Sequence, residues 1–271
     1  MSKNPYSQII NSEKMDSQKV DFQPFDSQQL KIHIAGENAL IIYFADQASS
    51  EVSAIVQQAE QRIRHAMKSE LSDDVIDLVP SYASLLVMFN LQSTDHHHIR
   101  NKLRALLHNL GEQAQVQTGI AQSSVVELPV YYALESGPDL AVIAKRNKLS
   151  IDEIIEIHQA QEYRVYAIGF APGFAYLGEV DERISSPRLS TPRMKVPKGA
   201  VAIADKQTAV YPNVSPGGWN IIGLCPIDMF DAKATPIMPV KVGGKVKFKA
   251  ISKNEFLALG GQLPEEFGAK K

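Results

Sequence analysis

"AVAIADKQTAVYPNVSPGGWNIIG", Ala200 to Gly223, sets three short apolar runs (AVAIA, TAVY and NIIG) between turns rich in Asp, Asn, Pro and Gly. Runs of four or five apolar residues broken by such turns read as short strands of a compact all-β barrel or sandwich. The texture extends both ways, to RVYAI (Arg164–Ile168) and to KVKFKAI (Lys245–Ile251). In the last run Lys245, Lys247 and Lys249 alternate with Val246, Phe248 and Ala250, so one face is wet and the other buried. Trp219, the only tryptophan, stands directly behind Pro216, Gly217 and Gly218. A second stretch of the same character, GFAPGFAYLG (Gly169–Gly178), also alternates glycines with aromatics. Two such loops suggest one surface.

VVELPVYY (Val125–Tyr132) opens this barrel region. PDLAVIAKRNKLSIDEIIEIHQA (Pro138–Ala160) reads as two short helices parted at Leu149, with Ser150 and Glu153 spaced as a capping box. They resemble a helix-turn-helix, but Asp152, Glu153 and Glu156 on the second helix would repel phosphate, so a lid on the barrel is the better account. Nearer the N-terminus, LKIHIA and ALIIYF flank a turn at Gly36–Asn38 as a hairpin. Val52, Ile55, Val56, Ala59, Ile63, Ala66 and Met67 have the spacing of an amphipathic helix. SLLVMFN is a strand, and Asp95 caps a helix with Ile99, Leu103, Leu106, Leu107 and Leu110 on one face. The expected fold is α+β. A polar, disordered tail (1–27) precedes a small α/β domain (28–122), and a barrel domain with a helical lid (123–271) follows.

With 271 residues, 44% hydrophobic and 21% charged, the chain has the composition of a globular protein of two domains. Its 28 basic and 30 acidic side chains leave a net charge of -2, so no global field gathers nucleic acid or anionic lipid. Any anion site is local. The start lacks the apolar core of a signal peptide and no segment approaches eighteen apolar residues, which predicts a soluble cytoplasmic protein. A single cysteine, Cys225, makes no internal disulfide, and no base is signalled that would activate it as a nucleophile.

SPRLSTPRMKVPKG places Pro187, Pro192 and Pro197 five residues apart, each followed by a cation: Arg188, Arg193 and Lys198. Proline stiffening lowers the entropy lost when a guanidinium settles on a carboxylate or phosphate. An anion site is favoured over an extended loop whose arginines stay in water or pair with Asp181 and Glu182. His96, His97 and His98 are consecutive and point to different sides of a helix, which argues for a solvated first turn over a metal site. His158 ends the lid helix within reach of the barrel mouth, and a structural and a catalytic role stand equal. No P-loop is present, because KVGGKV lacks the spacing. In SPGGW the glycines allow backbone N–H groups to face a ligand, and the indole supplies a flat wall.

Read together, Gly137–Gly178, Pro187–Gly223 and the MFD at Met229–Asp231 resemble one family, which comprises the allophanate hydrolase small subunit, the B-type subunit of 5-oxoprolinase and the Kip-type kinase inhibitors. The resemblance spans roughly Leu30 to Ser252. It implies a cyclophilin-like β-barrel behind a small α/β domain. It also implies a hydrolase subunit that opens 5-oxo-L-proline to L-glutamate with a second barrel subunit and a lactam-utilisation-type subunit. ATP would be used in the complex, with Mg, and no cofactor would be held tightly by this chain. The other branch implied is a non-catalytic inhibitor that binds a sensor histidine kinase. Among the matching motif residues are Gly169, Phe170, Pro172, Gly173, Phe174 and Tyr176, then Arg188, Arg193, Gln207, Tyr211, Pro216, Gly217, Gly218 and Trp219. With His158 they form the candidate substrate-binding set, in which Arg188 and Arg193 would hold an anion and the PGGW loop an oxyanion. Ala200, Leu224 and Gly244 depart from the family pattern, which usually has Ser, Arg and Asp at these places.

Overall fold

The computed structural model describes residues 30–110, 125–265 and 267, so the tail and the boundary near residue 122 lie outside the described residues. In the first part β1 (Lys31–Ile34) and β2 (Ala39–Tyr43) form the expected hairpin, and α1 (Ser50–Ala66), β3 (Val75–Pro80), β4 (Ser84–Phe89) and α2 (His96–Leu106) follow. The antiparallel sheet runs β1-β2-β4-β3. Ile55, Val56, Ala59 and Ile63 of α1 and Ile99 and Leu103 of α2 are buried with Leu40, Ile42, Leu85 and Val87 in one core. Both helices start on side-chain caps: Ser49 accepts from the Val52 N–H, and Asp95 from those of His97 and His98.

The second part comprises β5 (Val126–Val130), α3 (Leu140–Asn147), α4 (Ile151–Ala160), β6 (Glu162–Ile168), β7 (Ala175–Gly178) and β8 (Arg193–Val196). It continues with β9 (Ala200–Ala204), β10 (Gln207–Val210), β11 (Ser215–Gly217), β12 (Asn220–Leu224), β13 (Lys245–Ala250) and α5 (Lys253–Ala258). Seven strands join in the order β12-β9-β10-β7-β6-β13-β5, while β8 and β11 make a separate ribbon. Tyr131 and Leu224 exchange both backbone hydrogen bonds (2.9 and 3.0 Å) and nearly close the sheet on itself. The expected α+β architecture with a barrel is what the chain adopts.

Every residue of β9 is buried because both faces of this strand are covered. Val201 and Ile203 point into the barrel, where Leu140, Ile143, Ile154 and Ile157 of the two helices pack with them, as a lid would. Ala200, Ala202 and Ala204 point outward into a second cluster with Phe174, Tyr211, Trp219, Leu224 and Phe256. Small residues on this outer face leave room for large rings.

The two parts are stitched together by polar contacts. Arg164 donates to Ser53 Oγ and Gln57 Oε1, both at 2.8 Å, and Gln57 Nε2 donates to the Val242 carbonyl at 3.1 Å. No helix among the described residues is long and apolar enough to cross a membrane.

Candidate functional site

The two aromatic loops meet through Phe174 and Trp219, whose rings lie edge to face at 5.7 Å. Phe174 also contacts Tyr176 at 4.9 Å, Tyr211 at 5.2 Å and Phe170 at 5.4 Å. Tyr176 reaches Trp219 at 6.0 Å. Edge-to-face pairs of this kind fix ring orientation as well as burying area. Gly173 makes the turn behind Phe174 at φ +84°, and a Cβ there would lie 2.6 Å from the Met229 carbonyl oxygen. Phe170, also at positive φ, stands 68% exposed at the loop tip beside exposed Pro172 and partly exposed Gly169.

The PGGW loop is held from behind. Gly217 is required because a Cβ would lie 2.3 Å from the Tyr211 hydroxyl oxygen. That buried hydroxyl, pushed up to about 12 by burial, accepts the Trp219 backbone N–H. This N–H is therefore engaged and is not a free oxyanion donor. Gly218 O accepts from Leu189 N at 2.7 Å, and the Asn220 amide donates to the Pro187 carbonyl at 2.9 Å. These two bonds fasten the Pro-Arg segment to the loop and put the Arg188 guanidinium 5.7 Å from the Trp219 ring centre. Arg188 stays 60% exposed, with Asp205 at 3.9 Å. Pro216 is exposed at the rim.

Three of the expected ligand residues have partners inside the protein. Arg193 is 3% exposed and donates to Asp139 Oδ1 at 2.8 Å, so it is a buried ion-pair partner and not an arginine waiting for an anion. Its strand neighbour across the ribbon is Gly217, and Asp139 Oδ2 accepts from Ile221 N, which ties β8, β12 and the start of α3 together. Gln207 donates its amide to the Tyr82 hydroxyl across the junction of the two parts. His158 is fully buried. One ring nitrogen meets the Tyr132 hydroxyl at 2.7 Å and the other Thr208 Oγ1 at 3.0 Å, while the ring stacks on Phe248 at 4.6 Å. It belongs to the core and does not reach the barrel mouth.

Burial depresses His158 to about 3. Because the unfolded chain titrates near 6.5, stability from this group is complete above that pH and is lost as pH falls toward 3. The expected slope is up to about 1.4 kcal/mol per pH unit, and His158→Gln should flatten it in denaturation curves taken from pH 7 to 4. An unchanged slope would show that His158 is charged in the native state.

Cys225 is buried and its thiol is pushed up to about 12, which leaves no thiolate at neutral pH. His96 contacts the Gly36 carbonyl and His97 contacts Asn101. Among the described residues no three His, Cys, Asp or Glu side chains gather to hold a metal. Asp181 and Glu182 pair with Arg183 and Lys206, not with the Pro-Arg cations. Ala200 and Leu224 lie in the aromatic cluster, so these departures from the family pattern make the outer face of the barrel wholly apolar at those points. Clefts open elsewhere among the described residues. One of about 790 Å³ is lined by Lys195, Lys198, Cys225, Asp228 and Phe256 among others. One of about 410 Å³ lies between the two parts at Arg164 and Lys245, and one of about 390 Å³ beside Tyr82.

Residues 30–240 match the family described as carboxyltransferase domain, subdomain C and D. The chain belongs to this family. A relative from Bacillus subtilis (strain 168), named as the B-type subunit of 5-oxoprolinase, is 35% identical over 238 residues, covering 84% of this chain and 95% of the relative. The solved structure of TTHA0988 superposes with a TM-score of 0.68 at 28% identity over 85% of this chain. This chain spans only 42% of that longer protein. Kluyveromyces lactis urea carboxylase shares the fold, with a TM-score of 0.62 at 14% identity over 84% of this chain and 22% of the enzyme. The fold thus occurs both in chains of about this length and within longer ones.

Two residues of this region carry no sequence signal. Asp139 lies 54 positions from Arg193, and Tyr82 lies 125 from Gln207. Only the fold brings them together.

Proposed function

We propose that this chain is a binding subunit of a 5-oxoprolinase-type complex, which opens a carboxylate-bearing lactam at the expense of ATP. The observation that carries the reading is Arg188, an exposed guanidinium held over the Trp219 ring beside the Tyr176 and Tyr211 rings. An exposed cation beside the partly exposed Tyr176 ring suits a small ring bearing a carboxylate, because the ring covers Tyr176 while the carboxylate takes the guanidinium. The names of similar proteins support the same substrate class. In this reading Arg188 anchors the carboxylate, Tyr176 meets the ring, and the buried Trp219 positions both from behind.

Among the described residues the nucleophile and base candidates that the sequence offers, Cys225 and His158, are both buried and neutral. No step is routed through ATP or Mg in this chain. Chemistry is assigned to the assembled complex with a second barrel subunit and a lactam-utilisation-type subunit. The exposed Phe170 and Pro172 tip, on a backbone strained by positive φ, suits contact with such a partner.

The chain purified alone is expected to hydrolyse neither 5-oxo-L-proline nor ATP, and the co-expressed subunits to release glutamate with ATP. Co-purification followed by mass measurement identifies the partners. Glutamate release by the isolated chain, or recovery of a sensor histidine kinase in place of the barrel subunit, overturns the proposal.

A further inference from the structure

Tyr82 lies in the turn between β3 and β4, on the first part of the chain, and reaches across to the barrel. Its ring stacks on Tyr166 of β6 at 5.3 Å with 13° between planes, and contacts Tyr176 at 6.3 Å. Tyr176 in turn packs on Trp219, so Tyr82 is continuous with the aromatic wall. Its hydroxyl oxygen accepts the Gln207 Nε2–H. Arg188 is close enough to act electrostatically on the hydroxyls of both Tyr82 and Tyr211.

This bond leaves two groups unspent. A hydroxyl that accepts one hydrogen bond keeps its own hydrogen to donate. A primary amide whose Nε2 is tethered presents Oε1 as an acceptor, and Gln207 Oε1 has no partner among the described residues. Burial raises the Tyr82 hydroxyl well above its ordinary value, so it remains a donor at neutral pH. The two parts of the chain therefore set one acceptor and one donor next to each other. A lactam ring holds its N–H and C=O on the same edge, which presents the complementary donor and acceptor.

We infer that Tyr82 and Gln207 together read the amide edge of the lactam, with Gln207 Oε1 taking the ring N–H and the Tyr82 O–H donating to the ring carbonyl, while Arg188 takes the carboxylate. The inference rests on the reading of the preceding subsection that the ligand is a carboxylated lactam. It makes the site a product of both parts of the chain. It also gives Tyr82 a specificity role, since its tether decides which end of the Gln207 amide faces outward.

The test uses the reconstituted complex with 5-oxo-L-proline as substrate. Its lactone analogue, in which a ring oxygen replaces the N–H, serves as a competing inhibitor. Tyr82→Phe keeps the stacked ring and loses the hydroxyl, so KM for 5-oxo-L-proline is expected to rise about 3- to 10-fold with a smaller change in kcat. The wild-type complex is expected to prefer lactam over lactone by about tenfold or more, and Gln207→Leu to abolish that preference. Wild-type KM and undiminished lactam preference in both variants overturn the inference alone. So does lowered thermal stability with an unchanged lactam-to-lactone ratio, which marks a purely structural contact. A wild-type complex that does not act on 5-oxo-L-proline overturns the preceding reading and this one together.

Discussion

Arg193→Ala is expected to destabilise the barrel by about 3–5 kcal/mol, the range for removing one partner of a buried ion pair. The sequence alone suggests that this substitution spares folding and weakens an anion site. The structure reverses that expectation, because the guanidinium is enclosed and its partner Asp139 is 1% exposed. Alanine would leave the Asp139 carboxylate in an apolar setting without its cation. Arg193 Nη1 already lacks a partner, so the native pair is itself incompletely satisfied. Urea denaturation followed by the single Trp219, which lies in the barrel, measures the loss directly. Arg188→Ala is the control and should stay within about 1 kcal/mol of wild type, as exposed charges do. A variant at Arg193 that also stays within about 1 kcal/mol would show that the Asp139 carboxylate finds solvent or another donor.

Trp219→Ala is expected to cost about 3–5 kcal/mol, the range for deleting a large buried ring, and to abolish ligand binding in the complex. The indole is 5% exposed and joins Phe174 to Tyr176, so its loss opens the cluster on which both loops rest. Trp219→Phe should cost less than half as much, because a phenyl ring keeps most of the buried area against Phe174. Thermal melts by circular dichroism compare the three proteins without relying on tryptophan emission. Equal losses in the two variants would make the indole N–H, not the ring area, the important group.

The strands with apolar runs are legible from sequence because burial on one or both faces leaves a local pattern, as in AVAIA and KVKFKA. The helix starts at Asp95 and Ser150 are legible too, since a cap is a contact within three residues, whereas the apolar spacing does not single out the Ser49 cap of α1. β8 reads as loop because its residues, RMKV, alternate too little for a strand to be recognised. α5, at six residues, is too short to show a helical period. For the candidate site, the meeting of two Gly- and aromatic-rich loops is visible in the sequence. The fate of Arg193, Gln207 and His158 is not, since their side-chain partners lie 26 to 125 residues away. Nothing in a local pattern distinguishes a buried arginine from a waiting one.

The Tyr131–Leu224 pairing bears on how another protein can attach. An open sheet offers unpaired N–H and C=O groups at its margins, and a foreign strand can extend it there. In this barrel the two margins are joined to each other at Tyr131 and Leu224, and Asp139 further occupies the N–H and carbonyl of Ile221 on β12. Strand addition along this seam is thereby disfavoured as a way to recruit a companion. Association must instead use side chains projecting from loops, where a single residue such as Phe170 can be exchanged without disturbing the hydrogen-bonded wall behind it. Such a surface can diverge between relatives and change companions while the barrel stays the same.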